Sequence, residues 1–297
     1  MRAATIIAAA ASVGRTVATR ARCLVDDNVD AGDRLALSSS SIGLRQAAAL
    51  PDTIAVNVHF HITSTTEDAD LVTDEIVAAQ WDVLYDNYAK HNITLTLAST
   101  EFIVDDLAGA GWLVYDGTQW VNYPEEQVAF FTETRKGGYD EMNLYFFAPW
   151  SPGASGVCTF PTVTTESGAR PAEGDDAFYA DLCQISALSM PGIPADKATL
   201  DGYTLGNVAV HESGHWFGLN HTFANGCSEP GDFVADTPAS GIVFDCPTSS
   251  DTCPGVEGLD PIHNFMSYTN DSCTTEFTPG QKDRMFETFY SFRRSPE

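Results

Sequence analysis

Eleven residues, His211 to His221, read HESGHWFGLNH and constrain this chain more than any other stretch. On a helix, residues four apart share one face a turn apart, so His211 and His215 would stand side by side. Two imidazole nitrogens at about 2.0–2.1 Å can hold one zinc ion. Glu212 is one residue round from the first histidine, within reach of a water at the metal without being a ligand. Gly218 lets the backbone leave the helix through a left-handed conformation. The turn then returns His221 as a third ligand. Three histidines with a fourth position open are the layout of a catalytic rather than a structural zinc site. The bland reading of a bare HExxH is a solvated helix face that carries two histidines.

Length and charge bound the rest. A chain of 297 residues with 43% apolar side chains makes one large domain or two small ones with a substantial core. The net charge of −26 argues against nucleic acid or an anionic membrane as partner. That charge is uneven: residues 1–50 carry six Arg, no Lys and four Asp, while everything after Leu50 is strongly acidic. A boundary near residue 50 follows. Residues 1–22, basic and rich in Ala, read as a signal or targeting segment, secretory or mitochondrial alike. Residues 23–50 read as a pro-segment or linker, and 51–297 as the globular domain. No run approaches the roughly 20 apolar residues of a membrane span. Six of the seven cysteines lie in residues 158–273 and look like a disulfide framework, which decides for an oxidising compartment and a secreted protein. The sequons at Asn92 and Asn270 are compatible with export.

Within the domain, Ile54, Val56, Val58, Phe60 and Ile62 alternate with Thr53, Ala55, Asn57, His59, His61 and Thr63, a half-buried strand. His59 and His61 occupy its polar face and are not read as ligands. A helix follows over roughly 71–91, with Val77, Trp81, Leu84, Tyr85 and Tyr88 at helical spacing. Strands are expected at 93–104 and 142–147, and a shorter apolar run at 182–188. Strand, helix, strand suggests a crossover unit in a mixed sheet. Residues 106–140 and 148–180 read as loops. The metal helix should begin near 203–207 and end at Gly218. Thr278-Pro279 is a capping hydroxyl followed by Pro at the first helical position, opening a last helix to about residue 292.

The extended spacing of His211, His215, Gly218 and His221 resembles the metzincin signature, and Asn264-Phe265-Met266-Ser267-Tyr268 resembles its methionine turn. From His211 through Met285 the chain is similar to the pappalysin family of metzincin metallopeptidases, particularly its secreted single-domain members. Thr222-Phe223, Gly226-Cys227, Gly231-Asp232, Asp236-Thr237-Pro238 and Phe277-Thr278-Pro279-Gly280-Gln281 carry that resemblance further. It implies an α+β fold, with a mixed twisted sheet and two long helices above the cleft. The lower part would be irregular, disulfide-rich and closed by a C-terminal helix. It makes His211, His215 and His221 the zinc ligands and Glu212 the general base. Met266 becomes the apolar floor beneath the metal, and Tyr268 a stabiliser of the oxyanion, where the plain alternative is a packed aromatic. It also implies the bridges Cys227–Cys253 and Cys246–Cys273, with Cys158–Cys183 as a third. Asp232 and Asp236 are candidate calcium ligands, and Asp271 a candidate lining of the substrate pocket. Cys23 is then left over: either a free cysteine in a leader or a thiolate that holds the fourth zinc position until it is cut away.

These readings converge on a secreted, monomeric zinc endopeptidase that cleaves proteins or peptides. Two rivals stand beside it, an inactive zinc-holding binding module and a zinc hydrolase of non-peptide substrates.

Overall fold

The protein was described from a computed structural model, in which residues 21–23, 50–111, 125–149, 154–162, 169–198 and 202–294 are placed. In chain order these form β1 (Ala21–Cys23), β2 (Ile54–Ser64), α1 (Asp74–Ala89) and β3 (Ile93–Val104). Next come α2 (Asp106–Gly109), α3 (Glu125–Thr134), β4 (Met142–Ala148), β5 (Ala154–Cys158), α4 (Asp176–Tyr179) and β6 (Cys183–Ser186). The helices α5 (Asn207–Trp216) and α6 (Pro279–Thr288) follow, and a π-helical turn, Phe289–Arg293, continues α6.

The strands make one sheet in the order β1-β5-β6-β4-β2-β3. Its pairs are parallel except β5 with β6, which is antiparallel, so the sheet is mixed as expected. One face carries the main core, where Val58, Phe60, Leu144 and Phe146 meet Leu84 and Tyr88 of α1 and Val208, Val210 and Phe217 at α5. Tyr145, Phe147, Phe131 and Leu182 pack together on the other face. Three disulfides join Cys158 to Cys183, Cys227 to Cys253 and Cys246 to Cys273. The long stretch after α5 holds its shape through two of these and through turns, without regular structure.

Several expectations need adjusting. Helix α3 and strand β5 lie inside segments read as loops, and β1 extends the sheet from residues that straddle the targeting segment (1–22) and the pro-segment or linker (23–50). The rest of residues 1–50, save Leu50, lies outside the described residues. Strand β2 is half-buried only at its start. From Val58 onward both faces are covered, because the second face packs against polar partners rather than water. His59 sits between Ser99 Oγ and Glu141 Oε2, each at 2.8 Å. His61 is fully buried, stacks on Tyr145 at 4.1 Å, and its Nε2 lies 3.0 Å from Asn143 Oδ1.

Burial holds His61 neutral, lowering its pKa from the ordinary 6.5 to about 4 against the opposing hydrogen bond that it donates to Asn143 Oδ1. Between those values the unfolded chain binds the proton and the folded one does not, so stability rises with pH there and is flat above. His61→Gln should therefore shrink the acid-side loss, by up to about 3 kcal/mol between pH 7 and pH 4. Urea unfolding of both proteins across that range checks this. Parallel acid limbs would refute it.

Candidate metal centre

Helix α5 lacks a side-chain cap of its own, since Gly206 stands at its start with φ +87°. The cap comes from far along the chain. Asp271 Oδ2 accepts from the backbone N–H of Leu205 (2.8 Å) and Asn207 (3.4 Å), placing a carboxylate at the positive end of the helix. Asp271 is 3% exposed. It is a buried cap of this helix.

At the other end Gly218, at φ +93°, makes the exit turn. Its N–H reaches His215 O (2.8 Å), and Leu219 N–H reaches Gly214 O (2.9 Å), the pair of bonds of a Schellman motif. A Cβ on Gly218 would come within 2.5 Å of Thr288, so both backbone conformation and space require glycine there.

The turn brings three rings together. The Nε2 atoms of His211, His215 and His221 stand 3.2 Å from one another, and all three residues are fully buried. Nδ1 of His211 lies 2.6 Å from Phe265 O, and Nδ1 of His215 lies 2.7 Å from Leu219 O. Carbonyls only accept, so these Nδ1 atoms carry the protons and their Nε2 lone pairs face inward. Bare lone pairs at this spacing repel unless a cation lies among them. Nitrogens about 2.0–2.1 Å from a tetrahedral zinc stand about 3.3–3.4 Å apart, so the triad fits the ion. Burial first, then the neighbouring His221, pushes the His215 pKa well below its usual range.

Met266 lies beneath, fully buried, in a turn closed by Ser267 N–H to Asn264 O (3.1 Å). A Cβ on Gly214 would approach Met266 Sδ to 2.5 Å, so α5 meets this floor at a glycine. The turn is tied to α6 by two hydrogen bonds between the side-chain amides of Asn264 and Gln281, at 2.7 and 3.0 Å. The Tyr268 ring lies 4.9 Å from that of His221, and Tyr203 Oη donates to the Tyr268 carbonyl at 2.6 Å. Phe223 stacks on His221 at 4.7 Å, and Phe160 lies 5.2 Å from His215.

Glu212 is fully buried beside β5, where a Cβ on Gly156 would lie 2.7 Å from Glu212 Cγ and Oε1. Cys23 pairs with Gly156 in the β1–β5 register, so its backbone runs alongside this same point.

Asp232 and Asp236 have separate hydrogen-bond partners. Asp232, whose pKa burial raises to about 6, accepts from Thr237 Oγ1 (2.6 Å) and Val234 N–H (3.0 Å). Asp236 caps α6 through Thr278 Oγ1 and Gly280 N–H. Among the described residues, the group of three or more His, Cys, Asp or Glu that could hold an ion is the histidine triad, and the calcium expectation at Asp232 and Asp236 gains no support from it.

The family profile described as pregnancy-associated plasma protein-A matches residues 199–290, which contain His211, Glu212, His215, His221 and Met266. An extracellular metalloprotease of Pyricularia oryzae is 38% identical over 87% of this chain and 81% of its own length. One of Sordaria macrospora is 40% identical over 81% of this chain and 76% of its own. The chain belongs to the pappalysin family of metallopeptidases. Among solved structures, promirolysin of Tannerella forsythia aligns with a TM-score of 0.62 at 19% identity, covering 86% of each chain. Mature mirolysin aligns at 0.55, covering 81% of this chain and 97% of its own. This pappalysin therefore shares their fold. No helix among its described residues is long and apolar enough to cross a membrane.

Two features of the centre were not read from the sequence. Gly156 sits in a strand without alternation, and Asp271 acts across 64 residues on the Asn207 N–H. Only the unusual Gly206, uncapped at a helix start, hinted that a cap had to come from elsewhere.

Proposed function

We propose that the protein is a secreted zinc endopeptidase in which His211, His215 and His221 hold the metal and Glu212 is the general base. The observation that carries this is the set of three inward Nε2 atoms at 3.2 Å spacing with a buried glutamate beside them. Its relatives' names, extracellular metalloproteases, support the compartment and the reaction class.

A bound zinc ion would supply Lewis acidity, making a water more acidic and polarising a scissile carbonyl. Glu212 takes the proton of the attacking water and passes it to the leaving amine. Its packing against Gly156 and α5 fixes that carboxylate before substrate arrives. Tyr268 donates its phenolic hydrogen to the carbonyl oxygen as charge develops there. No side-chain nucleophile takes part, so no acyl-enzyme forms. Unfolded casein incubated with the purified protein, with and without a zinc chelator, tests the reading. Chelator-sensitive cleavage supports it. Zinc bound without cleavage would favour the inactive module, and cleavage of esters or amides but not casein the non-peptide hydrolase.

Cys23 belongs in the same proposal as a latency ligand. Its strand position opposite Gly156 supports this, because β1 then lies along β5, the strand next to the general base. The full-length chain should be latent, and cleavage within residues 24–52 should activate it. Cys23→Ser should be active, or self-process, without that cut. Equal latency in Cys23→Ser and the parent would defeat the idea.

A further inference from the structure

The last four carbonyls of a helix have no donor within the helix. At the end of α5, backbone groups supply three of them: Phe217 N–H to Ser213 O, Leu219 N–H to Gly214 O and Gly218 N–H to His215 O. The next carbonyl, Trp216 O, accepts from Arg293 Nε at 3.0 Å, across 77 residues. The turn carbonyl Gly218 O accepts from Arg284 Nε at 2.8 Å. Both arginines are buried, at 3% and 6% exposure.

Arg293 is itself held hard. Its two terminal nitrogens meet the two Asp181 oxygens at 2.8 and 2.9 Å, and Nη1 also donates to Tyr139 O at 3.0 Å. The guanidinium lies 3.5 Å over the Trp216 ring, whose indole N–H reaches the same Asp181 at 3.3 Å. It sits on the π-helical turn, a form that recurs at functional sites. The two gripped carbonyls flank Phe217 in the turn that runs on to Leu219, and Leu219 O accepts from His215 Nδ1 at 2.7 Å. Two residues later comes His221.

We infer that Arg284 and Arg293 are positioning residues of the metal centre, which clamp the end of α5 and so orient His215 and place His221. The inference rests on the zinc reading above for its consequence, not for its geometry. Lysine keeps the charge but, as a compact ammonium, cannot bridge Asp181, Tyr139 O and Trp216 O together as the planar fork does.

The test uses the full chain with Arg293→Lys, Arg284→Lys and, as a control, Leu84→Ala, a buried α1 residue whose loss destabilises the core without removing a hydrogen bond from the turn. Zinc release into a chromophoric chelator is timed well below the unfolding temperature. Release should be about 10–100-fold faster in each arginine variant, as for other partners that orient metal ligands, and unchanged in Leu84→Ala. In metal-free protein, amide exchange at Gly218 and Leu219 should also quicken in the arginine variants alone. Parental rates in both arginine variants, or equal acceleration in Leu84→Ala, would overturn the clamp. If the parent bound no zinc, the zinc reading would fail, while the exchange measurement would still decide the clamp.

Discussion

Replacing Glu212 with Gln should lower peptide hydrolysis by about 10²–10⁴-fold, the range over which positioned acid–base groups act, while the protein keeps its zinc. The amide has nearly the shape of the carboxylate but cannot take a proton from water. Its place in the fold is set by burial between α5 and β5, so the substitution should leave the histidine triad undisturbed. Metal analysis beside a cleavage assay decides the matter. Loss of zinc together with activity would mean that Glu212 belongs to the ligand set, and retained activity would mean that another group is the base.

Gly156→Ala should give a similar dissociation of activity from metal by a different route. The added Cβ would stand 2.7 Å from Glu212 Cγ and Oε1 and 2.8 Å from Cδ, closer than such contacts allow. Something must shift, and the glutamate side chain is more mobile than the disulfide-linked strand pair behind it. A misplacement of about 1 Å in a catalytic group costs about 100-fold in rate. We expect kcat to fall by about that factor, with zinc content unchanged and a small loss of stability. Parental kcat in Gly156→Ala would show that the carboxylate has room that this arrangement denies it.

The centre was legible because its signals are local. His211 and His215 are one helical turn apart, Gly218 announces its own left-handed turn, and Met266 lies in a short recognisable stretch. The alternating start of β2 and the Thr278-Pro279 start of α6 are local in the same sense. The disulfide pairings came from family likeness, since four cysteines alone allow three pairings. What escaped notice depends on distant partners. β5 has the sequence ASGVC, with neither alternation nor bulk, and is a strand because β6 pairs with it. The polar face of β2 looked solvated because His59 and His61 look polar, yet Glu141, Ser99 and Asn143 supply their hydrogen bonds from other strands or loops. Asp181 and Arg293 are 112 residues apart, and a buried ion pair leaves no periodic trace in either neighbourhood.

The long reach of Arg293 has a consequence for synthesis. A ribosome that has just added His221 has all three histidines and Glu212 in hand, but must still add about seventy residues before Arg293 exists. At about 5–20 residues per second that interval is roughly 4–14 s. Throughout it the carbonyl of Trp216 lacks its donor, Asp181 lacks its bidentate partner, and for much of it Met266 is also missing. A nascent chain therefore carries the three histidines and Glu212 well before it carries the parts that hold them in place. Completion of the metal centre waits until Arg293 is made, when the domain that precedes it is already there to fold around it.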